Sequence, residues 1–172
     1  MILMYKGRRG AGKTLTLVKD ALAYYENGWQ VYSNIDLPFA SYMENSEILA
    51  IDKSSDIYNC VLILDEIQIF FDSRRGTSKQ NVTFSNFIQQ IRKRNIILLC
   101  TTQFSNTIDL RLRQHLDVLA MPTFLKKYPI CIVKYVDLTS LEDEWVVEAV
   151  TRTIVYDPKP IFELYNTSEL VA

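Results

Sequence analysis

Histidine is nearly absent: His115 is the only one in 172 residues. A His-based zinc site and a serine-hydrolase triad both need imidazole, so both are effectively excluded. Cysteine is scarce as well. Cys60, Cys100 and Cys131 are odd in number, show no CxxC or Cys/His ligand spacing, and each sits in or beside an apolar, strand-like run. They read as buried, reduced thiols. No stretch reaches the roughly 18 apolar residues needed to span a bilayer. The N-terminus has no charged region followed by an apolar core of the signal-peptide kind, so the expectation is a soluble, cytosolic chain. Excess positive charge is missing too, with 19 Lys plus Arg against 20 Asp plus Glu. A protein that coats DNA along its whole surface is thereby excluded, and any nucleic-acid contact must be local.

What is present is a core. Hydrophobic residues make up 48% of the chain and charged ones 23%, which suits one globular domain over 1–172. Apolar runs alternate with helix-like runs, the signature of an α/β domain with a mainly parallel sheet. Met1 to Tyr5 predicts a first strand. The stretch "KTLTLVKDALAYYENG" carries Leu15, Val18, Ala21, Leu22 and Tyr25 near a 3.6 period and stops at Asn27-Gly28, so it predicts a helix. "WQVYSNI" predicts a second strand, whereas residues 38–58 follow no regular period. "CVLILDE" is a short apolar run closed by two acids, as in a strand buried on both faces. "NVTFSNFIQQIRKR" predicts an amphipathic helix with Phe84, Phe87, Ile88 and Ile91 on one face. "NIILLCTTQ" and "DVLAMPT" predict further strands. "PICIVKYVDL" and "WVVEAVTRTIVY", joined by the acidic "TSLEDE", predict an antiparallel extension of the sheet.

The chemistry is concentrated in "GRRGAGKT". Gly7, Gly12, Lys13 and Thr14 fill every fixed position of GxxxxGK[ST], between a predicted strand and a predicted helix. In that setting the backbone of Gly7, Arg8, Arg9, Gly10, Ala11, Gly12, Lys13, Thr14 and Leu15 can turn its N–H groups onto phosphate. The helix that follows adds its positive dipole end. Lys13 would reach the β and γ phosphates, and the Thr14 hydroxyl would ligate Mg²⁺. Asp65, at the end of a buried strand, is placed to hold that Mg²⁺ through water, and Glu66 beside it to polarise the attacking water. A small GTPase would carry Gly three residues after the Asp; Gln68 stands there, and no NKxD motif appears. Gln103 closes the next strand. If that strand runs between those of the P-loop and Asp65, the Gln103 amide sits near the γ phosphate.

With these residues the chain resembles the additional-strand, catalytic-glutamate branch of P-loop ATPases, within it the FtsK/HerA superfamily, and more narrowly the zonula occludens toxin (Zot)-like ATPases. The matching pieces are "GRRGAGKT", "VYSNI", "LILDEIQIFFDSRRG", "IRKRNIILLCTTQFSNTIDLRLRQ" and "FELYNTSE". The resemblance implies an α/β three-layer P-loop NTPase sandwich acting as an oligomeric ring motor, a hexamer among the candidates, with ATP bound between subunits. It marks Arg74, Arg92 and Arg113 as arginines of which one could act across a subunit interface. Zot-like assembly proteins carry a membrane-spanning helix after the ATPase domain, and this chain ends at Ala172 without one. The expectation is therefore a soluble ATPase in the host cytoplasm or associated with a virion.

Positive charge falls in small clusters, Arg8-Arg9, Arg74-Arg75 with Lys79, Arg92-Lys93-Arg94, Arg111 with Arg113, and Lys126-Lys127. "DSRRGTSKQN" reads as a loop that could track double- or single-stranded DNA phosphates from each subunit of a ring. The reading is a Mg²⁺-dependent ATPase that powers DNA packaging or virion assembly. The alternatives are a membrane-associated assembly or secretion ATPase docked on a virion or membrane-protein partner, a small-molecule P-loop kinase, and a nucleotide-gated binding module. Glu66 argues against the last, which has no need of a carboxylate beside water.

Overall fold

The computed structural model describes residues 1–51, 55–69, 78–103, 114–139 and 150–165, with side chains in 78–85 and at 150 left out of the account. Its frame is one eight-stranded sheet. In chain order the strands are β1 (Ile2–Lys6), β2 (Gln30–Ser33), β3 (Ser41–Tyr42), β4 (Cys60–Leu64), β5 (Ile97–Thr102), β6 (Val118–Leu125), β7 (Ile130–Asp137) and β8 (Val150–Tyr156). The helices are α1 (Lys13–Glu26), α2 (Asn45–Leu49), α3 (Ser78–Lys93) and the short α4 (Lys159–Phe162).

Across the sheet the order is β3-β2-β4-β5-β1-β6-β7-β8. Every pair from β3 to β6 is parallel, and β6-β7 and β7-β8 are antiparallel. The expected parallel core and antiparallel extension are both present. Residues 145–149, the start of the expected last strand, lie outside the described residues.

The apolar runs of β1, β4 and β5 are continuous because both faces of the sheet are covered. Ile2, Met4, Leu62, Leu64, Leu98 and Cys100 point into one core with Ile48 of α2 and Phe87, Ile88 and Ile91 of α3. Leu3, Tyr5, Val61, Ile63 and Leu99, the alternate residues, point into the other with Leu15, Leu17, Val18 and Ala21 of α1. The result is three layers, helix on sheet on helix. Burying a leucine- or isoleucine-sized side chain in either core contributes about 1.5–3 kcal/mol.

Two expectations shift. Tyr25 is 48% exposed and lies against Phe39 rather than in the core beneath α1, while Leu17, outside the expected stripe, is fully buried. α1 is covered from two directions, by the sheet and by α4, so its buried arc is wider than a single stripe. The irregular segment holds β3 and α2, each too short to show a period; α2 opens on a capping box formed by Glu44 and Glu47. The Phe84 side chain lies outside the described residues.

α1 also carries polar ties to the extension. Asp20 Oδ2 accepts from Tyr5 Oη of β1 and Tyr135 Oη of β7, each at 2.8 Å. Thr16 Oγ1 lies 3.0 Å from Tyr156 Oη of β8. All three cysteines are buried and unbridged. No helix among the described residues is long and apolar enough to cross a membrane.

Candidate nucleotide site

β1 delivers the chain to the loop at Lys6, and the Gly7 amide donates to the Thr102 carbonyl at the end of β5 (3.3 Å). The loop then turns through two left-handed residues, Gly10 (φ 77°) and Gly12 (φ 89°), where any residue with a Cβ is strained. Gly12 is also hemmed in: a Cβ there would stand 3.2 Å from Cys131 Sγ of β7 and 3.5 Å from Phe124 Cβ of β6. Arg8, Arg9 and Gly10 are exposed on the crest, and Leu15 is buried beneath it. Lys13, on the first turn of α1, is 7% exposed. The ion pairs formed among the described residues are Lys19–Asp20 and Arg92–Asp117, so Lys13 forms no salt bridge there, although its charge acts on the Asp65 carboxyl. A lysine on the first turn of a helix that follows a glycine-rich loop places its charge where the helix N-terminus also favours an anion such as phosphate.

Asp65, just past β4, is 8% exposed. Thr14 Oγ1 lies 3.1 Å from each of its carboxylate oxygens, and Thr101 Oγ1 of β5 donates to Oδ1 at 2.6 Å. Its backbone is clamped by Asn34, just past β2, which accepts from Asp65 N (2.8 Å) and donates to Asp65 O (3.2 Å). Burial pushes the Asp65 carboxyl up from its usual range. The Thr101 and Thr14 hydroxyls oppose this, Glu66 adds to it, and Lys13 opposes it. A buried carboxylate next to a threonine hydroxyl is an all-oxygen donor pair of the kind Mg²⁺ accepts alongside phosphate and water.

Glu66 is held in the left-handed region (φ 56°), a conformation that costs a non-glycine residue of order 1–3 kcal/mol and is retained where the surroundings over-determine it. Those surroundings are specific. Its amide donates to Thr101 Oγ1 at 2.9 Å, and its carboxylate oxygen Oε2 accepts from Gln68 Nε2 on the 3₁₀ turn Ile67–Ile69. Gln68 Oε1 is buried with no hydrogen-bond partner among the described residues.

The strand order meets the condition set for Gln103: β5 lies between β4 and β1. Gln103 follows β5 directly, half-buried, at the end of the sheet where Gly7 bonds Thr102. Lys13, Thr14, Asp65, Glu66 and Gln103 thus gather at one end of the sheet. Arg92 does not join them. It sits at the other end, 3.7 Å from Asp117, whose carboxylate accepts from the Ile2 amide at the start of β1. A strand of that length, roughly 15 Å, separates it from the loop in its own subunit. Arg74 and Arg113 lie outside the described residues, as do Arg75, Arg111 and the Lys79 side chain. In the sequence Gln68 stands out only as the absence of a GTPase glycine, and Asn34 and Thr101 are singled out by no motif. Each of the latter two is a polar residue ending an apolar run, the same signal that singled out Gln103.

A glycine loop between β1 and α1, an acid pair ending β4 and an inserted β5 between them define an α/β P-loop NTPase fold of the additional-strand type. The chain belongs to the zonular occludens toxin (Zot) family, whose model matches residues 1–170. It is similar to the N-terminal domain of the zonular occludens toxin from Neisseria meningitidis at 18% identity and TM-score 0.66, covering 96% of this chain and 98% of that one. It is also similar to the genome packaging NTPase of Sulfolobus turreted icosahedral virus 2, solved in complex with ATP-gammaS, at 13% identity and TM-score 0.60, covering 91% and 96%. The flagellar accessory protein FlaH from Methanocaldococcus jannaschii matches at 13% identity and TM-score 0.54, covering 79% and 77%. At these identities the solved structures speak for the fold. No curated protein sequence matches the chain.

Proposed function

We propose that this chain, as a single domain, hydrolyses ATP with Mg²⁺, and that an oligomer of it uses the hydrolysis to move DNA during virion packaging or assembly. One observation carries the reading: Lys13 on the first turn of α1 and the Thr14–Asp65–Thr101 hydroxyl–carboxylate chain converge with Glu66 at one end of the sheet. A turn that merely happened to be rich in glycine has no need of these partners.

In this reading the amides of residues 7–15 and the Lys13 ammonium bind the phosphates, and Thr14 with Asp65 holds the metal. Mg²⁺, when bound, neutralises charge on the β and γ phosphates. Glu66 accepts a proton from the attacking water, and Gln68 orients the Glu66 carboxylate through its amide. Thr101 ties the acid pair together by donating to Asp65 while accepting from Glu66. Gln103 orients the water or senses the γ phosphate. Arg92, remote from the loop of its own subunit, reaches a nucleotide only in a neighbour, and Arg74 and Arg113 remain the other candidates for that role.

The likeness to a genome packaging NTPase supports the choice of a DNA motor. The test is hydrolysis measured over a range of protein concentration, with and without double-stranded DNA. Turnover per subunit that rises with both supports an assembling DNA motor. Turnover indifferent to both contradicts it.

A further inference from the structure

The order of strands gives the site a direction. Asp65, Glu66 and Gln103 follow β4 and β5, on one flank of β1, so the γ phosphate belongs on that flank. The nucleoside must then leave over the opposite flank, which is formed by β6 and the β6–β7 hairpin.

That flank is aromatic. β6 runs on past the end of β1 and lines the loop from the side: the Pro122 carbonyl lies 3.7 Å from where a Gly7 Cβ would stand, and Phe124 Cβ lies 3.5 Å from the same point on Gly12. Phe162 of α4 meets Phe124 edge-on, with ring centroids 6.0 Å apart at 76°. α4 is fixed by Ile161, which is 6% exposed in the core beneath α1, yet its next residue Phe162 is 41% exposed. A large apolar ring held on an anchored helix and left half open beside a phosphate loop is a surface that calls for a partner.

We propose that Phe162, backed by Phe124, is the platform on which the purine base of the bound nucleoside triphosphate packs. The inference rests on the nucleotide reading above and adds the base to it. An aromatic shelf reads a base through its π-face and area rather than its hydrogen-bonding edge. With no NKxD motif in the chain to read guanine, the platform ranks purine over pyrimidine nucleotides and separates ATP from GTP only weakly.

The experiment is calorimetric titration of the full chain, in Mg²⁺, with ATP, GTP, CTP, UTP and inorganic tripolyphosphate. The variants are Phe162→Ala, Phe162→Leu and Phe162→Tyr. For wild type, ATP and GTP bind more tightly than CTP and UTP, and all bind more tightly than tripolyphosphate. Phe162→Ala weakens ATP about tenfold and leaves tripolyphosphate unchanged. Phe162→Tyr restores ATP, whereas Phe162→Leu, which keeps apolar bulk without a ring, restores only part. If Phe162→Ala leaves ATP binding intact, or weakens ATP and tripolyphosphate alike, the platform is overturned while the phosphate cradle stands. If the wild type holds neither ATP nor tripolyphosphate, the nucleotide reading falls and the platform with it.

Discussion

Replacing Gly12 with alanine tests whether the antiparallel extension buttresses the loop. Two costs separate cleanly. Gly12 has φ 89°, and a left-handed non-glycine residue costs about 1–2 kcal/mol. The new Cβ also stands 3.2 Å from Cys131 Sγ, tighter than most packed contacts, so the sulfur must give by a few tenths of an ångström, and forcing bulk into a filled site costs about 1–3 kcal/mol. Gly12→Ala therefore destabilises by about 3 kcal/mol in urea denaturation, which for a chain of this size lowers Tm by about 10 °C. Cys131→Ala alone leaves a small cavity, about 1 kcal/mol. In the double variant the sulfur is gone and only the backbone cost remains, so its loss falls short of the sum of the single losses by about 1–2 kcal/mol. Strict additivity would refute the reasoning, because it would mean that β7 does not bear on the loop.

Three other substitutions and reactions have outcomes set by the same packing. Asp20→Ala strands the hydroxyls of Tyr5 and Tyr135, which both donate to it at 2.8 Å, and costs about 2–4 kcal/mol; adding Tyr5→Phe and Tyr135→Phe recovers part of that in denaturant melts. Thr101→Val keeps the shape but deletes the hydroxyl between Asp65 and the Glu66 amide, so turnover falls about tenfold or more while the far-UV spectrum is unchanged. Burial pushes the Cys60 thiol up to about 11, so at pH 8 Cys60 in the native protein, followed by peptide mapping, is alkylated more than a hundredfold more slowly than a free thiol of pKa about 8.5. The neutral thiol is the form that burial favours. Its stabilising contribution is thus complete below the unfolded value near 8.5 and is lost as the pH climbs through about 11.

Most of the frame was legible because its signals are local. A continuous apolar run such as "CVLIL" tells of cover on both faces, and the fixed spacing of Gly7, Gly12, Lys13 and Thr14 tells of a phosphate loop. The short β3 and α2 were not legible: two and five residues are too few to display a period. Tyr25 carried the right hydrophobicity at the right spacing and still faced outward, since burial depends on what packs from the other side. Asn34 and Thr101 were hidden for a different reason. Their roles exist only across strands, Asn34 reaching Asp65 over 31 positions and Thr101 over 36. Spacing along one chain segment does not encode such contacts, although the habit of ending an apolar strand on a polar residue points to them. Arg92 shows the reverse, where family resemblance marked a residue that the fold sets at the far end of the sheet from its own loop.

The most direct measurement is ATP hydrolysis by wild type and Glu66→Gln at matched concentration, paired with ATP binding to both. If Glu66 accepts the proton of the attacking water, the variant binds ATP as the wild type does and its turnover falls by at least about a hundredfold. Turnover within a few-fold of wild type would contradict the central claim that this cradle hydrolyses ATP through Glu66.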